Sequence, residues 1–250
     1  MSAPAADQAI SDWQQWREGR AAWVSAATGP LALTGTHWLE DLDNGVAPGL
    51  PGRWLAEHGG VVHDVDGTRT ALDTEGSALS LADGRTVRAI VREGQIAVRV
   101  WDPASAARTS FAGIDVFDFD ERWVVDGAFR PYDSARSVLV PNDDGRERDL
   151  PLDGELTFTA AGVEHTLSVV VEDDGRLWAV LADGTSGTST FPFRFLYIPA
   201  PGADGSVTVD LNRTHLPPCV FADAFICPFP PPGNTLPYPL TAGERAALTS

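Results

Sequence analysis

The chain of 250 residues predicts a mainly β protein: an N-terminal helix followed by two antiparallel β lobes, sandwich or barrel-like. Three observations predict it. Large side chains in the first segment recur at helical spacing, the apolar residues after Pro30 alternate with period two, and turn dipeptides containing Gly separate the short runs. No strand-helix-strand alternation follows residue 30, which argues against Rossmann and TIM architectures.

In Asp7 to Ala27, Trp13, Trp16, Arg20 and Trp23 are spaced by three, four and three, which stacks them on one helical face. This is read as a docking helix, ended by Gly29 and Pro30. Strands are then expected at Val61 to Val65, Arg85 to Val91, Gln95 to Trp101, Trp123 to Phe129 and Arg136 to Val140. A meander over Glu155 to Ala160, Val163 to Val171 and Leu177 to Ala182 follows. Its turns are Ala161-Gly162 and Asp173-Asp174-Gly175, as Asp83-Gly84 and Glu93-Gly94 are earlier, because glycine accepts the positive φ of tight hairpins. The polar, Pro-containing stretch Pro131 to Pro151 suggests a boundary. The expected organisation is a docking helix over 1–28, a first lobe over 29–131 and a second lobe over 132–250 that carries a Pro-rich loop.

Composition narrows the partners. The formal net charge is −17, from 18 basic and 35 acidic residues, and all the basic residues are arginine. Such a surface repels polyanions, so neither nucleic acid nor an anionic membrane is expected as a partner. The missing lysine, with abundant Ala, Gly, Asp and Arg, reads as the codon bias of a GC-rich, actinobacterial type of genome. No apolar run approaches the ~20 residues of a membrane span, and the N-terminus has no signal-peptide pattern. A cytoplasmic protein with Cys219 and Cys227 as thiols is expected.

Nucleophile-elbow, Walker, H-E-x-x-H and paired C-x-x-C signatures are absent. Chemistry-bearing residues instead cluster between Asp210 and Glu244. Asp210 ends a strand, and Asn212, Arg213, His215, Cys219, Cys227 and Asn234 follow in a segment stiffened by Pro217-Pro218 and Pro230-Pro231-Pro232. A rigid loop on a sheet suits a site, and it equally suits a plug whose polar groups cap backbone atoms. His215, Cys219 and Cys227 lack a local fourth ligand, so no metal is expected. Arg99 shares a strand face with Trp101 while Asp102 opens the turn before Pro103, and Arg194 lies opposite Phe193 and Phe195. Each arginine is either an internal ion-pair partner or an anion clamp.

With these residues laid out, the chain resembles, nearly end to end, the bacterial family catalogued as domain of unknown function 1684. The matching elements are Trp16-Arg17-x-x-Arg20, GPLALTGTHWLE, REGQIAVRVWDP, FRFLYIP, DLNRTHLPPC, CPFPPPGNTLP and AGE. They place Asp210, Asn212, Arg213, Pro217, Pro218, Cys219, Cys227, Asn234 and Glu244 on the family pattern. Two departures reshape it: His215 and Leu216 stand where the family has tyrosine and asparagine, and Ser189-Thr190-Phe191-Pro192 replaces a Gly-rich stretch.

The leading functional expectation is a cofactor-free enzyme, or an enzyme subunit, acting on a small polar or anionic metabolite, by substitution, elimination or cyclisation in specialised metabolism. Arg213, Asn212, Arg194 and Arg99 would bind substrate, while His215, Asp210 and Asp102 would exchange protons. The competing expectation is a non-catalytic β module that binds a ligand or a protein. The tryptophan face of the helix would then serve a homo- or hetero-oligomer.

Overall fold

The computed structural model describes residues 3–92 and 94–250; Glu93 of the expected Glu93-Gly94 turn and the first two residues of the expected docking segment lie outside them. The protein is mainly β, with a long N-terminal helix and antiparallel sheets. By its contacts it forms two compact units. The larger takes in residues up to Ala22, Phe111–Val220 and Ile226–Ser250, and the smaller takes in Trp23–Ser110 and Phe221–Phe225.

Helix α1 spans Ala3–Val24. Trp13 is buried, with its indole N–H donating to the Asn212 carbonyl at 3.2 Å. Trp16 is half-buried and Trp23 is 48% exposed, so burial along the tryptophan stripe falls off toward the helix C-terminus.

In the smaller unit the strands are β1 (Leu33–Trp38), β2 (Arg53–Glu57), β3 (Gly60–Val65), β4 (Thr68–Leu72), β5 (Ala78–Ser80), β6 (Thr86–Arg92) and β7 (Gln95–Trp101). A short helix, α2 (Ala106–Thr109), follows and is capped by the Ser105 side chain. The strands make two antiparallel sheets, β1-β7-β6-β5 and β2-β3-β4. Trp54, Val61 and Leu72 of one sheet pack with Val87, Ala89, Val98 and Val100 of the other, which makes the unit a sandwich. Alternation along β7 buries Val98 and Val100 and turns Arg99 to the opposite face, as the pattern predicts.

The larger unit continues with β8 (Phe111–Val116), β9 (Val124–Pro141), β10 (Glu147–Ala160), β11 (Val163–Val171), β12 (Leu177–Leu181), β13 (Arg194–Ile198), β14 (Ser206–Asp210) and β15 (Glu244–Thr249). Six strands form one sheet in the order β13-β12-β11-β10-β9-β14, and β15 pairs with β8. The stretch Pro131 to Pro151, where the sequence suggested a boundary, is the outer half of the continuous β9–β10 hairpin. A register shift between Leu152 and Gly154 lies beside Pro131 and Pro151.

One face of this sheet carries an aliphatic core of Leu156, Leu167, Leu177, Leu196, Ile198 and Val209. Each such side chain, fully buried, contributes ~1.5–3 kcal/mol. The same core receives alternate residues of an extended segment, Leu236, Tyr238, Leu240 and Ala242, while Pro237 and Pro239 between them face solvent. The other face of β13 is aromatic: Phe195 meets Trp178 edge-on at 5.1 Å and Phe193 at 6.1 Å. Strands β11 and β12 pair directly only at Val170↔Trp178 and Val171↔Leu177.

The β10–β11 hairpin turns on Ala161 and Gly162, with φ of 51° and 76°. Two positive φ values define the turn that matches strand twist, but alanine carries a Cβ cost there. Ala161→Gly or Ala161→Asn is therefore expected to stabilise the protein by ~0.5–1 kcal/mol. Calorimetry should show a melting temperature higher by about 2 °C.

Candidate functional site

The segment from Asp210 onward leaves β14 through a tight 3-10 turn, Leu211–Arg213, in which the Asp210 side chain accepts from the Asn212 N–H at 3.0 Å. Arg213 Nε returns to the same carboxylate at 3.1 Å. The Asn212 side chain is turned inward. Its Oδ1 accepts from the Asp120 N–H and its Nδ2 donates to the Asp120 carbonyl, both at 3.0 Å, so one amide serves as a strand partner for Asp120.

Asn234 does the same elsewhere. Its Oδ1 accepts from Ser168 N–H at 2.8 Å, and its Nδ2 donates to the carbonyls of Ser168 at 2.8 Å and Val180 at 2.9 Å. Ser168 lies on β11 and Val180 on β12, just past the point where those strands stop pairing directly. The asparagine side chain thus fills a gap in the sheet. Backbone bonds from Ala182 N–H to Asn234 and from Leu236 N–H to Ala182 carry the segment onward along β12.

Arg194 is fully buried and ion-paired. Its Nη2 donates to Asp183 Oδ2 at 2.8 Å and to the Leu240 carbonyl at 3.1 Å, and its Nη1 donates to the carbonyls of Ala242 at 2.6 Å and Glu244 at 3.1 Å. Asp183 Oδ1 accepts from Thr185 N–H, Thr185 Oγ1 and Leu240 N–H at 2.7, 2.6 and 3.0 Å. Burial opposes ionisation of this carboxyl, but the Arg194 charge and these hydrogen bonds outweigh it and hold Asp183 below the usual carboxylate range.

A second charge pair joins the chain's beginning to its end. Arg20 Nε and Nη2 grip the buried Glu244 carboxylate at 2.9 and 3.0 Å, and Nη2 also reaches the Leu216 carbonyl. The Leu216 N–H donates to Glu244 Oε2 at 2.8 Å. Gly243 makes this approach feasible: its φ is 79°, and a Cβ there would lie 2.1 Å from the Thr214 carbonyl oxygen. The Ala-Gly-Glu motif is thus a buried small residue, a left-handed turn and an internal anion.

His215 is 6% exposed and forms an isolated bridge with Phe195, exchanging backbone hydrogen bonds of 2.8 Å each way. Its ring stacks on Tyr197 at 5.6 Å and meets Phe195 and Trp16 edge-on. Nδ1 lies 3.1 Å from the Arg213 carbonyl, an arrangement in which Nδ1–H donates. Burial, followed by the nearby Arg20 charge, lowers its pKa to about 3, so the ring is neutral at physiological pH. A group so far from neutrality is a poor proton exchanger at pH 7.

The five candidates Asp210, Asn212, Arg213, His215 and Arg194 all belong to the larger unit, and Arg99 and Asp102 to the smaller. Arg99 stacks over Phe225 at 5.0 Å, and Asp102 caps its own turn by accepting from Ala104 N–H at 2.8 Å. Asp183 stands out nowhere in the sequence pattern, and Arg20 and Glu244 belong to motifs there without being candidates for the site. The available signal was an acid two residues past the wholly apolar β12, and an arginine on the packing side of α1. No group of three or more His, Cys, Asp or Glu side chains arranged to hold a metal occurs among the described residues, and no helix among them is long and apolar enough to cross a membrane.

With this geometry in place, comparison with known proteins is informative about kinship. The model of a family described as protein of unknown function (DUF1684) matches residues 109–245, more than half of the chain. The chain belongs to that family. The DUF1684 match spans the later part of the chain rather than nearly all of it, so the resemblance noted in the first hundred residues lies beyond it. No curated protein matches. A solved structure, an uncharacterized protein of Haloarcula marismortui studied by solution NMR, is 28% identical, with 54% of this chain and 77% of that one covered and a TM-score of 0.45.

Within the DUF1684 region, Asp183→Asn is expected to leave Arg194 as a buried, poorly compensated cation and to cost about 3–5 kcal/mol in urea unfolding. For His215 the sign of the pH effect follows from its lowered value. The unfolded chain binds a proton near pH 6.5 and the folded one only near pH 3, so this contribution is complete above pH 6.5 and is lost as pH falls toward 3. Between pH 7 and pH 5 wild type should lose about 2 kcal/mol more stability than His215→Phe.

Proposed function

We propose that the protein is a non-catalytic binding module for a small polar or anionic ligand. The observation that carries this reading is an opening on the larger unit combined with the internal use of the polar residues. A cleft of about 640 Å³ lies between α1 and the β8–β15 ribbon, lined by Gln14, Arg17, Glu18, Ile114 and Leu248, with Glu244 contributing to it. That volume lies within the ~300–1,000 Å³ range of small-molecule sites. Arg17, whose guanidinium sits 4.7 Å from the Trp13 ring centroid, is the group for an anionic substituent, and Leu248 is 45% exposed for an apolar one.

The rigid loop supports the cleft rather than lining it. Through Arg20, Leu216 and Thr214 it fixes Glu244, and Glu244 begins β15. A cytoplasmic setting in a GC-rich, actinobacterial type of bacterium, with a ligand from specialised metabolism, fits the composition. The enzyme reading draws on the Asp210–Arg213 pair, whose side chains are 21% and 38% exposed, as a substrate clamp.

One experiment separates the two. A panel of small carboxylates and phosphates is screened by thermal shift, with product analysis on the same samples. The binding reading expects a hit that stabilises by ~2.7 kcal/mol at 100 times its Kd, is not consumed, and is lost in Leu248→Arg while the unliganded melting temperature holds. Consumption of the hit, abolished by Arg213→Ala, would instead establish the enzyme.

A further inference from the structure

Cys219 and Cys227 lie outside the polar network described above, and the structure brings them together. Cys219 sits in the 3-10 turn Pro218–Val220, fixed by the Val220 N–H bond to the Pro217 carbonyl. Cys227 is held from another direction. Its carbonyl accepts from Asp143 N–H at 3.0 Å, its neighbour Pro228 bridges Asn142, and Phe229 N–H donates to Pro141 at 2.9 Å. Both residues are buried, at 7% and 3% exposure, both are thiols, and the Cys227 thiol lies close enough to Cys219 to interact with it. The groups that perturb Cys219 include no cation. The second thiol and burial push Cys219 well above the usual range.

The chain between them is equally particular. Residues Phe221–Phe225 belong to the smaller unit although both flanks belong to the larger. There, Ala222, Ala224 and Phe225 pack on Ala32, Leu33 and Trp101, and the Ala224 carbonyl accepts from Thr36 Oγ1 at 2.8 Å. A bond between the two sulfurs would close a ring around this five-residue strap.

We propose that Cys219 and Cys227 are a dithiol that a low-molecular-weight disulfide oxidises, reversibly, to an intrachain disulfide at the base of the strap. The balance is ordinary exchange. One cysteine thiolate, formed by loss of its proton to solvent, attacks the small disulfide, giving a mixed disulfide and releasing one small thiolate. The second cysteine then attacks the mixed disulfide at the protein sulfur, forming the Cys219–Cys227 bond and expelling the second small thiolate. Two electrons pass from the protein to the small disulfide, which is reduced to two thiols. Because both sulfurs are buried, the first step is slow. The second step is fast, because the partner thiol already lies alongside, so the mixed disulfide does not accumulate.

The full-length protein, reduced and desalted, is incubated with glutathione disulfide and followed by intact-mass and peptide analysis. The expected product is about 2 Da lighter, yields a linked Cys219–Cys227 peptide, reverts with dithiothreitol and melts about 5 °C higher than the reduced form. Cys219→Ser and Cys227→Ser proteins should each stop at a stable mixed disulfide. Persistence of two alkylatable thiols at equilibrium, a lasting glutathione adduct on the wild type, or disulfide-linked dimers would each overturn the proposal. Peptide analysis of the wild type separates these outcomes whether or not the single variants fold.

Discussion

A charge pair hidden from solvent, Arg194 with Asp183, stands where three parts of the larger unit meet: the start of β13, the turn after β12 and the segment that leads into β15. An unpaired charge at such a depth would take a large share of the fold's net stability, while the intact pair fixes positions rather than adding stability of its own. The carbonyls of Leu240, Ala242 and Glu244 are organised around one guanidinium, and the alternate side chains of the same stretch enter the aliphatic core. Once Glu244 is placed, Arg20 can meet it, and α1 docks.

The Pro-rich segment follows a consistent logic. Proline removes donors and fixes φ, so such a segment cannot pair along its length as a strand does. Its attachment is therefore made by single residues. Asn212 and Asn234 present side-chain amides to backbone groups, and His215 makes one isolated bridge. These three residues act as discrete fasteners of the segment. The His215 ring is enclosed by Trp16, Phe195 and Tyr197.

Local features were legible in the sequence. Period-two alternation located β7 and β11 to the residue, placed Arg194 opposite Phe195, and put Arg99 and Val100 on different faces. The helix was evident from its tryptophans, though the exposure of Trp23 was not. What could not be read were partnerships across long sequence separations. Arg20 and Glu244 are 224 positions apart, and whether an asparagine caps its own turn or completes a distant strand depends on three-dimensional register. The Pro131 to Pro151 stretch misled because a twisted hairpin with one irregularity tolerates polar and proline residues that a flat strand would not.

The amide that fills the opening between β11 and β12 also orders events in time. Ser168 and Val180 find their common partner only when Asn234, more than fifty residues downstream, arrives. Until then the six-stranded sheet has an incomplete seam between β11 and β12, and a nascent chain would expose it to neighbouring chains during synthesis. Contacts of such separation are slow to form, because the entropy of loop closure is lost before any bond is made. The same segment that completes the sheet would therefore be among the last to settle as the chain folds.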